Sequence, residues 1–209
     1  MRNSTIRPIY LLAYMLLIFQ CANRGIASGG DKDDKAPVVI KEVPENFSTN
    51  FSGNEIKIYF DEYIKLKNLQ KTLIVSPPMD PPAEVTPLGS ASKYIAIKIY
   101  DTLQLNTTYA FNFGNSIEDN NEGNPYPFYR YVFSTGPTID SLSVSGVVSD
   151  ALAIETPENV SVLLHEVKDD YNDSIIYTQK PKYIGVTDSL SAFSIENLKA
   201  GRYLLTALK

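Results

Sequence analysis

The sequence predicts an all-β protein, two β-sandwich modules in series behind a short apolar leader. Three observations carry that expectation. Apolar residues alternate with polar ones in several short runs, which is the period of a strand with one buried face. Pro, Gly, Asn and Asp cluster between those runs, as turn residues do. Aromatic residues are plentiful, with 14 Tyr and 9 Phe beside 13 Pro and 11 Gly, a composition suited to pleated, half-buried strands. At 209 residues the chain has room for one large or two small domains.

The amino terminus is of a different material. Arg2 and Arg7 precede an unbroken apolar stretch from Ile9 to Phe19. As a helix it would span roughly 16 Å, well short of a bilayer core. A basic start and a short apolar run predict a signal-peptide helix over residues 1–20, outside the fold. Ordinary secretory cleavage requires small residues before the cut, and Phe19 and Gln20 are large. The chain's single cysteine, Cys21, stands at this point instead. Leu17-Ile18-Phe19-Gln20-Cys21 resembles the lipobox of bacterial lipoproteins, with Gln20 where that family usually carries a small residue. The resemblance implies that the Cys21 thiol becomes a diacylglyceryl thioether and that cleavage leaves Cys21 first in the mature chain. Two or more acyl chains hold a protein stably at a membrane. With Cys21 used in this way, no internal disulfide can form, and the modules stand on hydrophobic burial alone.

Residues 21–35 follow as a flexible acidic tether. "ANRGIASGGDKDDK" is polar, Gly-rich and without hydrophobic period, with an r.m.s. reach of about 20 Å. The run Asp31–Lys35 reads either as a solvated linker or, by resemblance, as the acidic surface-export signal of Bacteroidetes-type lipoproteins. Ala22 is not the aspartate that retains enterobacterial lipoproteins at the inner membrane. The expected location is the outer membrane, at the cell surface, with a periplasm-facing lipoprotein as the alternative.

Residues 36–137 form the first predicted module. Ile56, Ile58 and Phe60 alternate with polar or amphipathic neighbours, as do Ile95, Ile97 and Ile99, Tyr109, Phe111 and Phe113, and Tyr129, Tyr131 and Phe133. Val38–Val43 and Thr72–Ser76 add two more strands. "PENFSTNFSGN", "SPPMDPP" and "EDNNEGNPYP" read as turns between them. Short strands at this spacing with no helical period predict a β-sandwich. "APVVIKEVPENFSTNF", "EIKIYFDEYI", "LQLNTTYAFNFG", "SIEDNNEGNP" and "YVFSTG" together resemble the bacterial Ig-like domain of S-layer-associated proteins, in particular that of Bacteroidetes-type Ig-like domain lipoproteins. The resemblance implies an Ig-like sandwich with no catalytic residues.

Residues 138–209 form the second predicted module, entered through Gly136-Pro137. Leu142, Val144 and Val148 alternate with serines. The closing stretch, with Phe193, Ile195, Asn197, Leu198, Gly201, Tyr203 and Leu205, resembles the strand-turn-strand signature of transthyretin-like or carboxypeptidase-regulatory-like modules, which implies a rigid spacer or binding platform. The alternation from Tyr203 to Leu208 runs to Lys209 without a polar tail, so this module is expected to be truncated.

Starting from Asp119, a calcium loop would need a side-chain oxygen where Gly123 stands. Asp61 and Glu62 are neighbours on a strand, point to opposite faces and are expected at a solvated strand end. His165, the only histidine, is expected to face outward from the apolar set Val160, Val162 and Leu164. A lone His with no mature Cys builds no usual zinc site, and no nucleophile-elbow or phosphate-loop pattern occurs. The expectation is therefore a protein that is not an enzyme and uses no cofactor or metal. The net charge of −5 becomes more negative once Arg2 and Arg7 are removed, which disfavours nucleic acid as a partner. Four triplets, beginning at Asp101, Asp140, Asp173 and Asp188, place Asp before Ser or Thr before an aliphatic residue. They resemble the O-glycosylation sequon of Bacteroidetes envelope proteins, with Thr102, Ser141, Ser174 and Ser189 as acceptors, although Asp-Ser pairs also suit turns.

Two functions remain open at this point. One is a surface-anchored, non-enzymatic spacer or binding scaffold, held to the membrane through Cys21. The other is an anchoring or glycan-binding subunit of an envelope enzyme complex, in which Tyr59, Tyr94, Tyr100 and Tyr126 stack on sugar rings or the β-domains hold a protein partner.

Overall fold

A computed structural model describes residues 32–152, 157, 159–169 and 172–209 of the chain. The expected signal-peptide helix and Cys21 lie outside these residues. Residues 34–209 form one compact unit.

The unit begins with two antiparallel sheets placed face to face. The first has the order β1 (Val39–Val43), β2 (Glu55–Leu66), β5 (Ser92–Lys98), β4 (Glu84–Thr86), and β7 (Ile117–Asp119) also pairs with β2. The second runs β3 (Ile74–Ser76), β6 (Thr108–Gly114), β8 (Tyr129–Ser134). The side chains that alternate in sequence meet between them. Ile56, Ile58 and Phe60 from β2, Ile95 and Ile97 from β5, Phe111 and Phe113 from β6, and Tyr131 and Phe133 from β8 are sealed from solvent. Burying each such side chain contributes roughly 1.5–3 kcal/mol, which is how a chain with one cysteine holds a sandwich together.

Several local readings are corrected here. Thr72 does not start a strand: Leu69–Thr72 is a single helical turn, α1, entered through Asn68 in the left-handed region at φ 52°. Asp61 and Glu62 do not end a strand either. They sit inside β2, in the irregular stretch between Tyr59↔Tyr94 and Ile64↔Ser92 of its β5 pairing, where its other edge passes from β1 (Val39↔Phe60) to β7 (Ile64↔Asp119). Asp61 stays tied to the chain before β1: its N–H donates to the Val38 carbonyl at 3.1 Å and its Oδ1 accepts from the Val38 N–H at 2.8 Å. "PENFSTNF" is more than a turn. Ser48 bridges Phe133 in parallel, the Phe47 N–H donates to the Val132 carbonyl at 2.7 Å, and the Ser134 N–H donates to the Ser48 carbonyl at 2.9 Å. Asn46 extends this seam with its side chain, accepting from the Val132 N–H at 2.8 Å and donating to the Arg130 carbonyl at 2.9 Å.

The remaining strands are β9 (Leu142–Val147), β10 (Ser161–Glu166), β11 (Tyr183–Val186), β12 (Ala192–Leu198) and β13 (Tyr203–Leu208), with a second helical turn, α2, at Ile175–Thr178. They form the sheets β11-β10-β13 and β12-β9 around Val162, Leu164, Tyr183, Phe193, Ile195 and Leu198. Two glycines make this small core possible. A Cβ on Gly185 would lie 2.7 Å from Ile195 Cγ1, and one on Gly146 3.0 Å from Phe193 Cε1. The closing signature also has local causes. Asn197 turns the chain at φ 60° and donates to the Asp140 carbonyl at 2.9 Å, while the Tyr203 hydroxyl donates to the Lys199 carbonyl at 2.8 Å.

The edges β3 and β11 come together. The Ile184 N–H donates to Ser76 Oγ at 3.3 Å. Arg130 pairs with Glu196 at 2.5 Å and Lys180 with Asp80 at 2.8 Å nearby in the same unit.

Candidate functional site

The acidic loop after β7 is a closed hydrogen-bond unit. Asp119 is buried. Its Oδ1 accepts from the N–H groups of Asn121 (2.8 Å), Glu122 (2.7 Å) and Gly123 (3.1 Å), and its Oδ2 accepts from that of Asn124 at 2.7 Å. Burial taken alone would raise this carboxyl, but the four N–H donors together hold it below the usual carboxylate range. The lone pairs a cation would use are directed at the loop's own backbone, whose four donors take the place of a metal's positive charge.

His165 is corrected from outward to buried. Leu164 and His165 are both sealed, so both faces of the central strand β10 are covered. Neither ring nitrogen has a partner among the described residues, and burial lowers the pKa of the ring. The stability consequence has a definite sign. The unfolded chain takes up this proton near pH 6.5 while the folded chain resists it, so stability falls as the pH drops through that value. Urea unfolding between about pH 7 and pH 5 is expected to show this decline in the wild type and a flatter profile in His165→Leu. Equal slopes in both proteins would remove His165 as the cause.

The four sequon acceptors are all exposed. Thr102 lies in the loop after β5, Ser141 directly precedes β9, Ser174 precedes α2, and Ser189 sits in the turn between β11 and β12. Ser174 also borders a polar hollow of about 200 Å³ with Glu166 and Lys168. Two of the preceding aspartates do turn work as well. Asp101 Oδ2 accepts from the Asp80 N–H at 2.9 Å, and Asp188 Oδ1 accepts from those of Leu190 and Ala192 at 2.8 and 2.9 Å.

The four tyrosines singled out from sequence divide into two groups. Tyr126 packs against the first core, edge-on to Phe60 and Tyr129. Tyr100 donates to Glu84 Oε2 at 2.6 Å. Tyr59 and Tyr94 are cross-strand neighbours on the outer face of the first sheet, with ring centroids 5.6 Å apart. Lys41 of β1 places its ammonium 5.9 Å from the Tyr59 ring centroid. Beside Tyr94 a hollow of about 390 Å³ is lined by Thr86, Pro87, Leu88, Ser90 and Ser92. Sequence reasoning missed Lys41 and this hollow. The small-residue loop "TPLGSAS" was the available signal, but only the β1–β2 and β2–β5 registers bring it into line with Lys41.

Among the described residues no group of His, Cys, Asp and Glu is placed to hold a metal ion. No helix among them is long and apolar enough to cross a membrane, which says nothing of strands.

Two antiparallel sheets packed face to face around an aromatic core define an Ig-like β-sandwich. Residues 33–135 match the bacterial Ig-like domain family. No curated protein matches the chain. Among solved structures the chain is similar to the N-terminal part of the bacterial S-layer protein SbsC, with 14% identity and a TM-score of 0.32 over 80% of this chain and 33% of that one. It is also similar to BcpA, the major pilin subunit of Bacillus cereus, with 12% identity and a TM-score of 0.22 over 77% of this chain and 55% of that one. The chain thus spans about a third of the first and about half of the second.

Proposed function

We propose that the protein is a lipid-anchored, non-enzymatic scaffold of the bacterial outer membrane, facing the cell surface. The carrying observation is the order of parts: a lipobox-like Leu17–Cys21, a Gly-rich acidic tether, then a compact β unit from residue 34. The polar groups with the best claim to chemistry support a structural role. The Asp119 carboxylate is filled by four backbone donors, and His165 is buried with neither ring nitrogen hydrogen-bonded among the described residues. The transthyretin-like reading of residues 138–209 fits the same role as a spacer. Exposure of Thr102, Ser141, Ser174 and Ser189 supports sugar attachment at those hydroxyls.

Metabolic labelling with a palmitate analogue is expected to tag the wild type and leave Cys21→Ser unlabelled. Label that survives the substitution would remove the anchor from this reading. Protease added to intact cells is expected to cut the anchored wild type; a protected chain would place it on the periplasmic face instead. The intact mass of the purified protein then reports the four acceptors, and a mass that carries lipid but no sugar would remove the glycosylation.

A further inference from the structure

The outer face of the first sheet carries features that packing does not use. Cross-strand register brings Lys41, Tyr59 and Tyr94 into one row across β1, β2 and β5. The next row holds Val43, Lys57, Ala96 and Thr86. Tyr94 is 42% exposed, and it lines the hollow together with Thr86, Leu88, Ser90 and Ser92. The hollow holds about 390 Å³ and is more open than enclosed, a shallow surface depression. Ser92 Oγ accepts from the Tyr94 N–H at 3.1 Å, which leaves its own hydroxyl proton to donate outward.

We infer that this face binds an acidic oligosaccharide, which deepens the scaffold reading by giving it a ligand class. Each part of such a ligand has a counterpart in the row. The apolar C–H face of a pyranose ring stacks on Tyr94, whose ring face carries negative partial charge. Sugar hydroxyls exchange hydrogen bonds with Thr86, Ser90 and Ser92. A ring carboxylate meets Lys41, which Tyr59 already holds in place through its π face. Charge decides between classes of ligand. The acids of this face are engaged, Glu55 with Lys57 at 3.0 Å and Glu84 with the Tyr100 hydroxyl at 2.6 Å, so Lys41 supplies positive charge without a carboxylate of its own among the described contacts. The chain as a whole is at −5, which repels a dense polyanion such as a nucleic acid. A sugar with one carboxylate per ring needs only one lysine per ring. Cross-strand packing explains why the two rings touch, but it explains neither the hollow beside Tyr94 nor the ammonium over Tyr59.

Affinity electrophoresis of the detergent-solubilised full chain tests this, with polygalacturonate or neutral dextran in the gel. The wild type is expected to be retarded by polygalacturonate and much less by dextran. Tyr94→Ala is expected to weaken the retardation about tenfold, equivalent to about 1.4 kcal/mol, and Tyr94→Phe to restore it. Lys41→Gln is expected to abolish the preference for the acidic polymer. Tyr177→Ala, at an 86% exposed tyrosine elsewhere, controls for general loss of aromatic surface. Unretarded wild type, equal retardation in both polymers, or equal effects of Tyr94→Ala and Tyr177→Ala would each overturn the inference. Palmitate labelling at Cys21 is read on the same preparations, so loss of sugar binding with the label intact leaves the scaffold standing.

Discussion

Phe133→Ala is expected to lower the stability of the unit by about 3–5 kcal/mol. Phe133 is fully buried and is the hub of the first core's aromatic packing. Its ring centroid lies 4.3 Å from that of Phe51, 5.4 Å from Tyr109, and 6.4 Å from both Phe111 and Tyr131. Those neighbours come from the segment before β2, from β6 and from β8 itself, so one truncation leaves a cavity that no single strand can close by shifting. The loss is a large share of the 5–15 kcal/mol typical of a folded domain. It corresponds to a fall in Tm on the order of 10 °C. Thermal unfolding followed by circular dichroism checks this. Phe133→Leu, which keeps most of the volume, is expected to cost less than about half as much. A Phe133→Ala variant within about 1 kcal/mol of wild type would show that the core collapses around the site.

Asp119→Ala is expected to cost about 3 kcal/mol at neutral pH, and Asp119→Asn somewhat less. The alanine leaves four loop N–H groups without their acceptor, while exposure of Asn120 and Asn121 lets water recover part of the loss. Asparagine can retain an oxygen for the three donors at the Oδ1 position, but it turns an amide toward the Asn124 N–H. The pH dependence follows from the direction of the shift. The folded carboxyl is held below its unfolded value of about 3.9, so its contribution is present above that pH and lost as the pH falls through the folded value. The gap between wild type and Asp119→Ala is therefore expected to narrow between neutral pH and about pH 2. Urea unfolding at both ends of that range measures it, and a constant gap would mean that charge plays no part in holding the loop.

The inward faces of β2, β5, β6 and β8 were legible because period-two alternation is a direct record of which side of a sheet is buried. Ile56, Ile58, Phe60, Phe111, Phe113, Tyr131 and Phe133 occupy the positions that alternation assigns. Where a strand is covered on both sides, alternation loses its meaning. "VSVLLHEV" places Leu163 beside Leu164, a near-continuous apolar run of the kind seen in strands buried on two faces. Reading it as one-sided turned His165 outward. Asp61 and Glu62 were misplaced for another reason. A polar pair inside a long strand is intelligible only once β1 and β7 are known to share one edge of β2, and partner exchange leaves no local mark in sequence. The candidate binding face has the same character: Tyr59 and Tyr94 were visible one by one, but their alignment with Lys41 is a product of register.

The two edges of the sheet β3-β6-β8 are finished differently from its interior. Along β8 the backbone of Phe47, Ser48 and Phe51 pairs with Val132 and Ser134, and the Asn46 side chain extends that short seam to Arg130; at β3 the Ser76 hydroxyl receives the Ile184 N–H. A backbone ladder has the same chemistry on both sides of every strand, so an open edge invites any extended segment to continue it. A side-chain amide or hydroxyl has no such second side. It satisfies one partner at one place and offers the next chain no repeat to copy. With the proposed lipid anchor, copies crowded on a membrane, where diffusion is confined to two dimensions, would meet edge to edge far more often than in solution. A sheet whose margins close on a short seam and on single side chains can stay separate under that crowding without a disulfide to lock it.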